Sequence, residues 1–372
     1  MILFTLPNVD PIPLPAPVWL FKVLHIATLM LHFIAVQMML GGLTMATLWN
    51  IFGKRDSEMR AVSNSMVKKL PTVMIYVINF GVPPLLFAQV LYGQALYTSS
   101  VVMGAYWIAV IFLLIAGYFL LYKAADRADE NKSWWWMGLT SLVLLAYIAR
   151  IYSTNMTLML RPEEWVSLYQ QSGGSGTVLP HGDPTVLPRF LFMTIGSLGL
   201  AGIFAVLLGL YFDHKETVRD FFVRFGGAIG AVFFVVQMLL GFWVYSAQQA
   251  IVQEGLWASS LGFYGTMIWA VFSVIAVGAS IGTVISRSTA KFTGWIAAIS
   301  AVLSTAGTVL VRDVIRDQTL LAKGFDVWNR NVVANWSVVV IFLVLFVGAL
   351  GLIGYLLYAV NRSMKEVKEQ NA

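Results

Sequence analysis

The chain has 372 residues, a net charge of +6 and no cysteine, and it is 59% hydrophobic with only 11% charged residues. That balance excludes an ordinary soluble domain and describes a polytopic membrane protein, with no long soluble segment to bind nucleic acid. The missing cysteines exclude disulfides, Fe–S clusters held by this chain and haem attached covalently through C-x-x-C-H.

Met1 to Val18 lacks a basic n-region and carries Pro11, Pro13, Pro15 and Pro17, so it reads as an extended cap over the outer face rather than a signal peptide. Apolar stretches long enough to cross a bilayer then follow one another, each needing ~20 residues. They predict nine spans, at roughly 19–50, 71–98, 101–124, 134–160, 187–212, 223–248, 257–286, 291–312 and 334–360. The expected fold is therefore all-α: a membrane bundle of about nine transmembrane helices.

Basic residues set its orientation, because lysine and arginine concentrate on cytoplasmic loops. Lys54, Arg55, Arg60, Lys68 and Lys69 follow span one, and Lys123, Arg127 and Lys132 follow span three. Lys215, Arg219 and Arg224 follow span five, Arg287 and Lys291 follow span seven, and Arg362, Lys365 and Lys368 close the chain. With nine spans all of these fall on one side, which predicts the N-terminus outside and the C-terminus inside. The outer face then holds two long connections, about Arg161 to Pro188 and Arg312 to Asn335, as a docking surface for a soluble partner. Trp134, Trp135 and Trp136 read as an aromatic belt at the inner edge of span four.

Span one holds the most informative residues. His32 sits near mid-depth and His25 nearer the outside, in a segment whose other ionisable residue is Lys22. A titratable ring at bilayer depth is a functional hypothesis, most often as a haem or metal ligand; the alternative is a neutral imidazole bonded to a neighbouring helix. Seven residues apart, the two rings share a helix face about 10 Å apart along the axis, too far for one iron. In span two, Pro83-Pro84 is expected to kink the helix and free backbone carbonyls. Gly196, Gly199 and Gly202 in span five, and Gly348, Gly351 and Gly354 in span nine, form small-residue stripes for close helix packing.

Four arginines are candidate partners for a haem propionate or a quinol headgroup. Arg150 lies near the end of span four and Arg189 follows Pro188; each has a snorkelling anchor as its other reading. Arg312 and Arg316 alternate with Asp313 and Asp317 at the end of span eight, forming either a cofactor-binding rim or a salt-bridged helix end. His181 and His214 read as solvated loop residues. No Asp or Glu falls inside the nine spans as drawn, and no inverted repeat is visible, both of which count against a transporter.

The run Leu31-His32-Phe33 leading to Gly41-Gly42, the pieces Asn79-Phe80-Gly81-Val82 and Gln89-Val90-Leu91-Tyr92-Gly93, and the polar end of span four resemble subunit I of the cytochrome bd quinol oxidase superfamily over its first four helices. The resemblance covers about 150 residues, and spans five to nine match only loosely. It implies that His32 is an axial ligand of a b-type haem near the outer face; His25 has no counterpart. The departures are as informative. The family's third-helix glutamates, its fifth-helix histidine and its long hydrophilic quinol loop are missing, so at most one of three haem sites is retained and oxygen reduction is not expected.

These readings divide the chain into a bd-like four-helix unit with its cap (1–160), an outer connecting loop (161–190) and a five-helix unit with a short cytoplasmic tail (191–372). The expected function is a non-oxygen-reducing membrane subunit of a respiratory oxidoreductase complex in a bacterial or archaeal plasma (inner) membrane. It would bind one haem b, or a quinol, non-covalently, with His32 as the metal ligand and His25, Arg150, Arg189, Arg312 and Arg316 around the cofactor. Its partners would be the lipid bilayer, other membrane subunits and an extracytoplasmic c-type cytochrome. The alternatives are a cofactor-free membrane anchor and, third, a transporter subunit.

Overall fold

The computed structural model describes residues 13–180, 182–211 and 215–370, the side chains of 353, 356, 357 and 360–370 excepted. His181, His214 and most of the N-terminal cap, 1–12, lie outside the described residues.

Thirteen helices make up the described chain: α1 (Val18–Phe52), α2 (Glu58–Val67), α3 (Leu70–Val102), α4 (Gly104–Asp129), α5 (Trp135–Leu158), α6 (Pro162–Gln171), α7 (Val186–Thr194), α8 (Ser197–Tyr211), α9 (Glu216–Ser246), α10 (Ala250–Ala258), α11 (Ser260–Ile285), α12 (Ala290–Leu321) and α13 (Trp336–Gln370). The bundle is all-α and polytopic. Eight segments are long and apolar enough to cross a membrane: α1, α2–α3, α4, α5, α7–α8, α9, α11 and α12. The ninth expected span corresponds to α13, whose described apolar part is Trp336–Leu352.

Local chemistry explains the helix ends. Pro17 holds an extended backbone immediately before α1, and Pro162 opens α6, where a missing N–H costs nothing. Ser57 caps α2 by accepting from the Arg60 N–H at 3.2 Å, and Ser259 caps α11 in the same way. Pro83 and Pro84 lie inside a continuous α3; the one residue there with non-helical angles is Tyr92 (φ −125°, ψ 23°), so the distortion falls eight residues after the proline expected to cause it.

α1 is the central helix. It packs against α3 on one side and α8 on the other, and also meets α12. One core runs from Met39, Leu43 and Trp49 of α1 through Met66 and Met74 to Ala205 and Phe222, so the 1–160 and 191–372 segments share an interior. The basic connections gather at one end of the bundle: Asn131 bonds Asn64 (3.0 Å) and the Arg55 carbonyl (3.4 Å), Lys68 pairs with Asp129, and Arg287 pairs with Asp220. Trp134 is not a belt residue there. It is fully buried, its indole N–H donating to Asn64 at 2.9 Å and its backbone N–H to Asn50 at 3.1 Å, while Trp135 and Trp136 remain exposed.

At the opposite end Leu14 pairs with the segment before α13: its N–H donates to the Asn331 carbonyl and its carbonyl accepts from Val333. Arg161 gathers Glu163, Glu164 and Asp183, and Lys323 reaches Glu163 from the 322–335 connection. Burial opposes the charge on Asp183, but bonds from Thr185 and Arg161 outweigh it and hold the carboxyl below its ordinary range. Glu163 is likewise held low, against its burial, by its own backbone N–H and by Lys323. Both carboxyls ionise at lower pH in the folded protein, so their contribution is complete above the unfolded values of about 4 and is lost as pH falls through the folded ones. Acidification is therefore expected to lower the amide protection factors over 161–180, the intrinsic slowing of exchange with falling pH being divided out, each pair contributing at most about 1 kcal/mol. Asp183→Asn should flatten that pH dependence in hydrogen-exchange mass spectrometry.

The two glycine stripes have different fates. In α8 they are contact surfaces: a Cβ on Gly202 would lie 2.5 Å from the Gly230 nitrogen and 2.6 Å from the Gly226 carbonyl of α9. Gly202→Val is expected to lower stability by roughly 1–3 kcal/mol through overpacking, read as a lower melting temperature in detergent. In α13, by contrast, nothing lies within 4 Å of where a Cβ on Gly348, Gly351 or Gly354 would sit. The tight packing expected of that stripe is not made within the described residues.

Candidate functional site

His25 and His32 both face α3. The His25 ring is buried, and its Nδ1 lies 2.9 Å from the Pro84 carbonyl; the Nδ1 of His32 lies 3.1 Å from the Val77 carbonyl. A carbonyl only accepts, so each Nδ1 carries the hydrogen and each Nε2 is left with its lone pair. The carbonyls used are not the ones that Pro83 and Pro84 deprive of donors, which by helical spacing are those of Asn79 and Phe80. The Nε2 of His25 is buried and has no hydrogen-bond partner among the described residues. His32 is half-buried, and its ring rests on Gly81, where a Cβ would lie 3.0 Å from Cε1 and 3.1 Å from Nδ1. A side chain at 81 would displace the ring, which gives the glycine of the Asn79-Phe80-Gly81-Val82 run a steric reason.

The second half of the site comes from α12. The eighth span, drawn to end at residue 312, continues as helix to Leu321, and Asp313 and Arg316 are buried inside it. Helix α12 thus carries two aspartates beyond the residue at which the eighth span was drawn to end, and Asp313 is buried. The charges that marked a helix end in the sequence are neutralised from another helix. Lys22 of α1 reaches across, with Nζ 2.9 Å from Asp313 Oδ2 and 2.5 Å from Asp317 Oδ2. It also lies 2.5 Å from the Tyr92 hydroxyl of α3. Tyr92 donates to Asp317 at 2.7 Å, and Arg316 pairs with Asp313 while stacking over the Tyr92 ring at 4.2 Å. A buried ion pair is tolerable only when its remaining polar atoms are bonded, and here lysine, tyrosine and arginine together surround the two carboxylates.

Lys22 and Tyr92 are the residues that sequence reasoning passed over. Lys22 was visible as the lone cation of an apolar span, three residues before His25. Tyr92 stood only within the Gln89-Val90-Leu91-Tyr92-Gly93 run that carries the resemblance, with no role of its own assigned.

Arg312 and Arg189 stand apart from this balance. Arg312 is half-buried and feels the like charges of Arg316 and Arg189 against the opposite charge of Asp313; it lies 5.7 Å from the Phe33 ring. Among the described residues the Arg189 guanidinium donates to neutral groups, Thr157 at 3.2 Å and Gln248 at 3.4 Å. Asp183, the acid that acts on Arg189, is already bonded to Arg161 and Thr185. Lys22, Arg189, Arg312 and Arg316 against Asp313 and Asp317 leave a surplus of two positive charges around α1 and α12. The Arg150 guanidinium donates to Thr154 one turn along α5, at 2.7 Å.

No protein-family model matches the chain, and neither the curated proteins nor the solved structures contain a significant match to it.

Proposed function

We propose that this chain is a membrane subunit of a respiratory electron-transfer complex, related to subunit I of the cytochrome bd superfamily, that holds one haem b or a quinol beside α1. The reading is carried by the tethering of both α1 imidazoles through Nδ1 to backbone carbonyls of α3. That arrangement orients a histidine that ligates a metal through Nε2. His32, being half-buried, is the residue we assign as ligand. His25 is enclosed, and we assign it as a hydrogen-bond acceptor for a quinol hydroxyl or a polar contact to the same cofactor.

The unpaired Arg312 and Arg189 supply the positive charge that haem propionates require, and Arg316 supports them through its hold on Asp313. A bound haem b would supply one-electron transfer; the chain's own contribution is ligation, orientation and charge compensation. Other membrane subunits and an extracytoplasmic c-type cytochrome are the partners this reading calls for, in a bacterial or archaeal plasma membrane. A reduced-minus-oxidised spectrum of the purified chain, with pyridine-haemochrome quantitation, tests it. The expected result is a b-type band at one haem per chain. A well-folded preparation without haem and without bound quinone would remove the redox reading and leave a cofactor-free anchor.

A second reading is favoured by one observation. The buried Lys22–Asp313–Asp317 group is the kind of intramembrane charge found along ion pathways, which suits a transporter subunit. Solute flux in liposomes distinguishes it.

A further inference from the structure

The charged group on α1, α3 and α12 is buried and meets a cavity at Asp317. That cavity, about 270 Å³, is lined by Ser259, Leu261, Asp317, Gln318, Asp326 and Trp328, at the end of the bundle that carries the 322–335 connection. Among the ions of the cluster, only Asp317 lines it. Its side chain is 14% exposed, against 2% for Asp313, 3% for Lys22 and 5% for Arg316.

We propose that Asp317 is a proton-exchange site, taking protons from water in this cavity and passing charge to the buried Lys22–Tyr92–Asp313 group.

Three features of the geometry support this. First, Lys22 and Arg316 balance Asp313 and Asp317, so the cluster is neutral at rest and stores one positive charge when Asp317 binds a proton. Second, the cluster survives that event. Lys22 keeps Asp313 at 2.9 Å, and Arg316 keeps Asp313 as well. Third, the Tyr92 hydroxyl lies 2.7 Å from Asp317 Oδ1 and 3.5 Å from Asp313 Oδ1. It can turn its hydrogen from the first to the second when Asp317 ceases to accept. The step is balanced: a proton leaves hydronium, a water remains in the cavity, and the Asp317 carboxylate becomes a carboxylic acid.

The groups facing Asp317 are Asp313 and Arg316 on its own helix, Lys22 from α1, Tyr92 from α3, and Asp326 across the cavity. Ser259, the N-cap of α11, and Leu261 in its first turn line the cavity and bring no charge. The proposal needs no haem and holds under either reading of the chain's function.

The test uses the full chain in liposomes and an apolar carbodiimide, which adds across its C=N bond to a protonated carboxyl with no leaving group. Peptide mass spectrometry then locates the adduct. The expected result is labelling at Asp317 and not at Asp313, falling as pH rises and absent in Asp317→Asn. Equal labelling at both aspartates, or none on α12 at any pH, would overturn the proposal. Leu261→Trp fills the cavity and leaves every charge in place. It should slow labelling by a water-soluble carbodiimide several-fold, and an unchanged rate would sink the cavity as the proton route. Because no cofactor is measured, a negative result here is separable from a negative haem spectrum.

Discussion

Lys22→Met is expected to be the most damaging single substitution in the bundle. It leaves Asp313 and Asp317 facing each other with Arg316 as the remaining cation of the cluster, and it strips the Tyr92 hydroxyl of its lysine contact. Breaking a buried pair by removing one partner costs about 3–5 kcal/mol, because the other charge stays buried. That is a large share of the stability a domain has. The variant should therefore fail to give a monodisperse peak in detergent, or should melt well below the parent. The double variant Lys22→Met with Asp317→Asn restores neutrality around Asp313 and Arg316 and should recover most of the loss. A single variant that melts like the parent would mean that water, not lysine, compensates the two aspartates. Recovery by the double variant separates charge balance from the loss of side-chain packing, since methionine fills a similar length of chain.

If the chain holds haem b as proposed, His32→Ala is expected to abolish the b-type band altogether, while His25→Ala leaves haem bound and alters the reactivity of the site. The difference follows from access. His32 is half-buried beside Gly81, whereas His25 is 2% exposed, with Pro84 on its Nδ1 and nothing on its Nε2. Axial ligation is lost with the ligand, whereas losing a hydrogen bond leaves the iron in place. Imidazole added to His32→Ala should restore part of the band if the missing ring was the ligand. Gly81→Val tests the same point indirectly, because its side chain must push the His32 ring off the Val77 carbonyl. Loss of the band in His25→Ala alone would exchange the roles of the two histidines. An unchanged haem content in both variants would leave neither as a ligand.

The spans were readable because a bilayer imposes a length, and each apolar run of ~20 residues meets it without help from the rest of the chain. The basic loops were readable for a related reason, since Lys54, Lys68 and Lys132 fall at one end whatever the helices do between them. What stayed hidden depends on pairing over long separations. Asp313 and Arg316 look like a helix terminus until Lys22, 291 residues away, is set against them. Trp134 looks like its two exposed neighbours until Asn50 and Asn64 close on it. The stripes Gly196–Gly202 and Gly348–Gly354 have the same spacing, and only the packing partner of each, α9 for the first and none among the described residues for the second, tells them apart. At the site, depth marked both histidines, but the tautomer that leaves Nε2 unprotonated required knowing which carbonyls of α3 they meet.

The Lys22 contacts also bear on how the chain is made. Synthesis delivers α1 first and α12 almost 300 residues later, so the lysine enters the membrane long before Asp313 and Asp317 exist. An unpaired lysine at the centre of a helix costs about 2.5–3.5 kcal/mol on insertion. Four residues from the start of α1, its long side chain can instead reach the headgroup layer while it waits. The arrival of α12 then draws the ammonium inward and fixes the depth of the first helix. A nascent chain stalled before residue 313 should leave Lys22 open to amine-reactive reagents, and the released 372-residue chain should protect it.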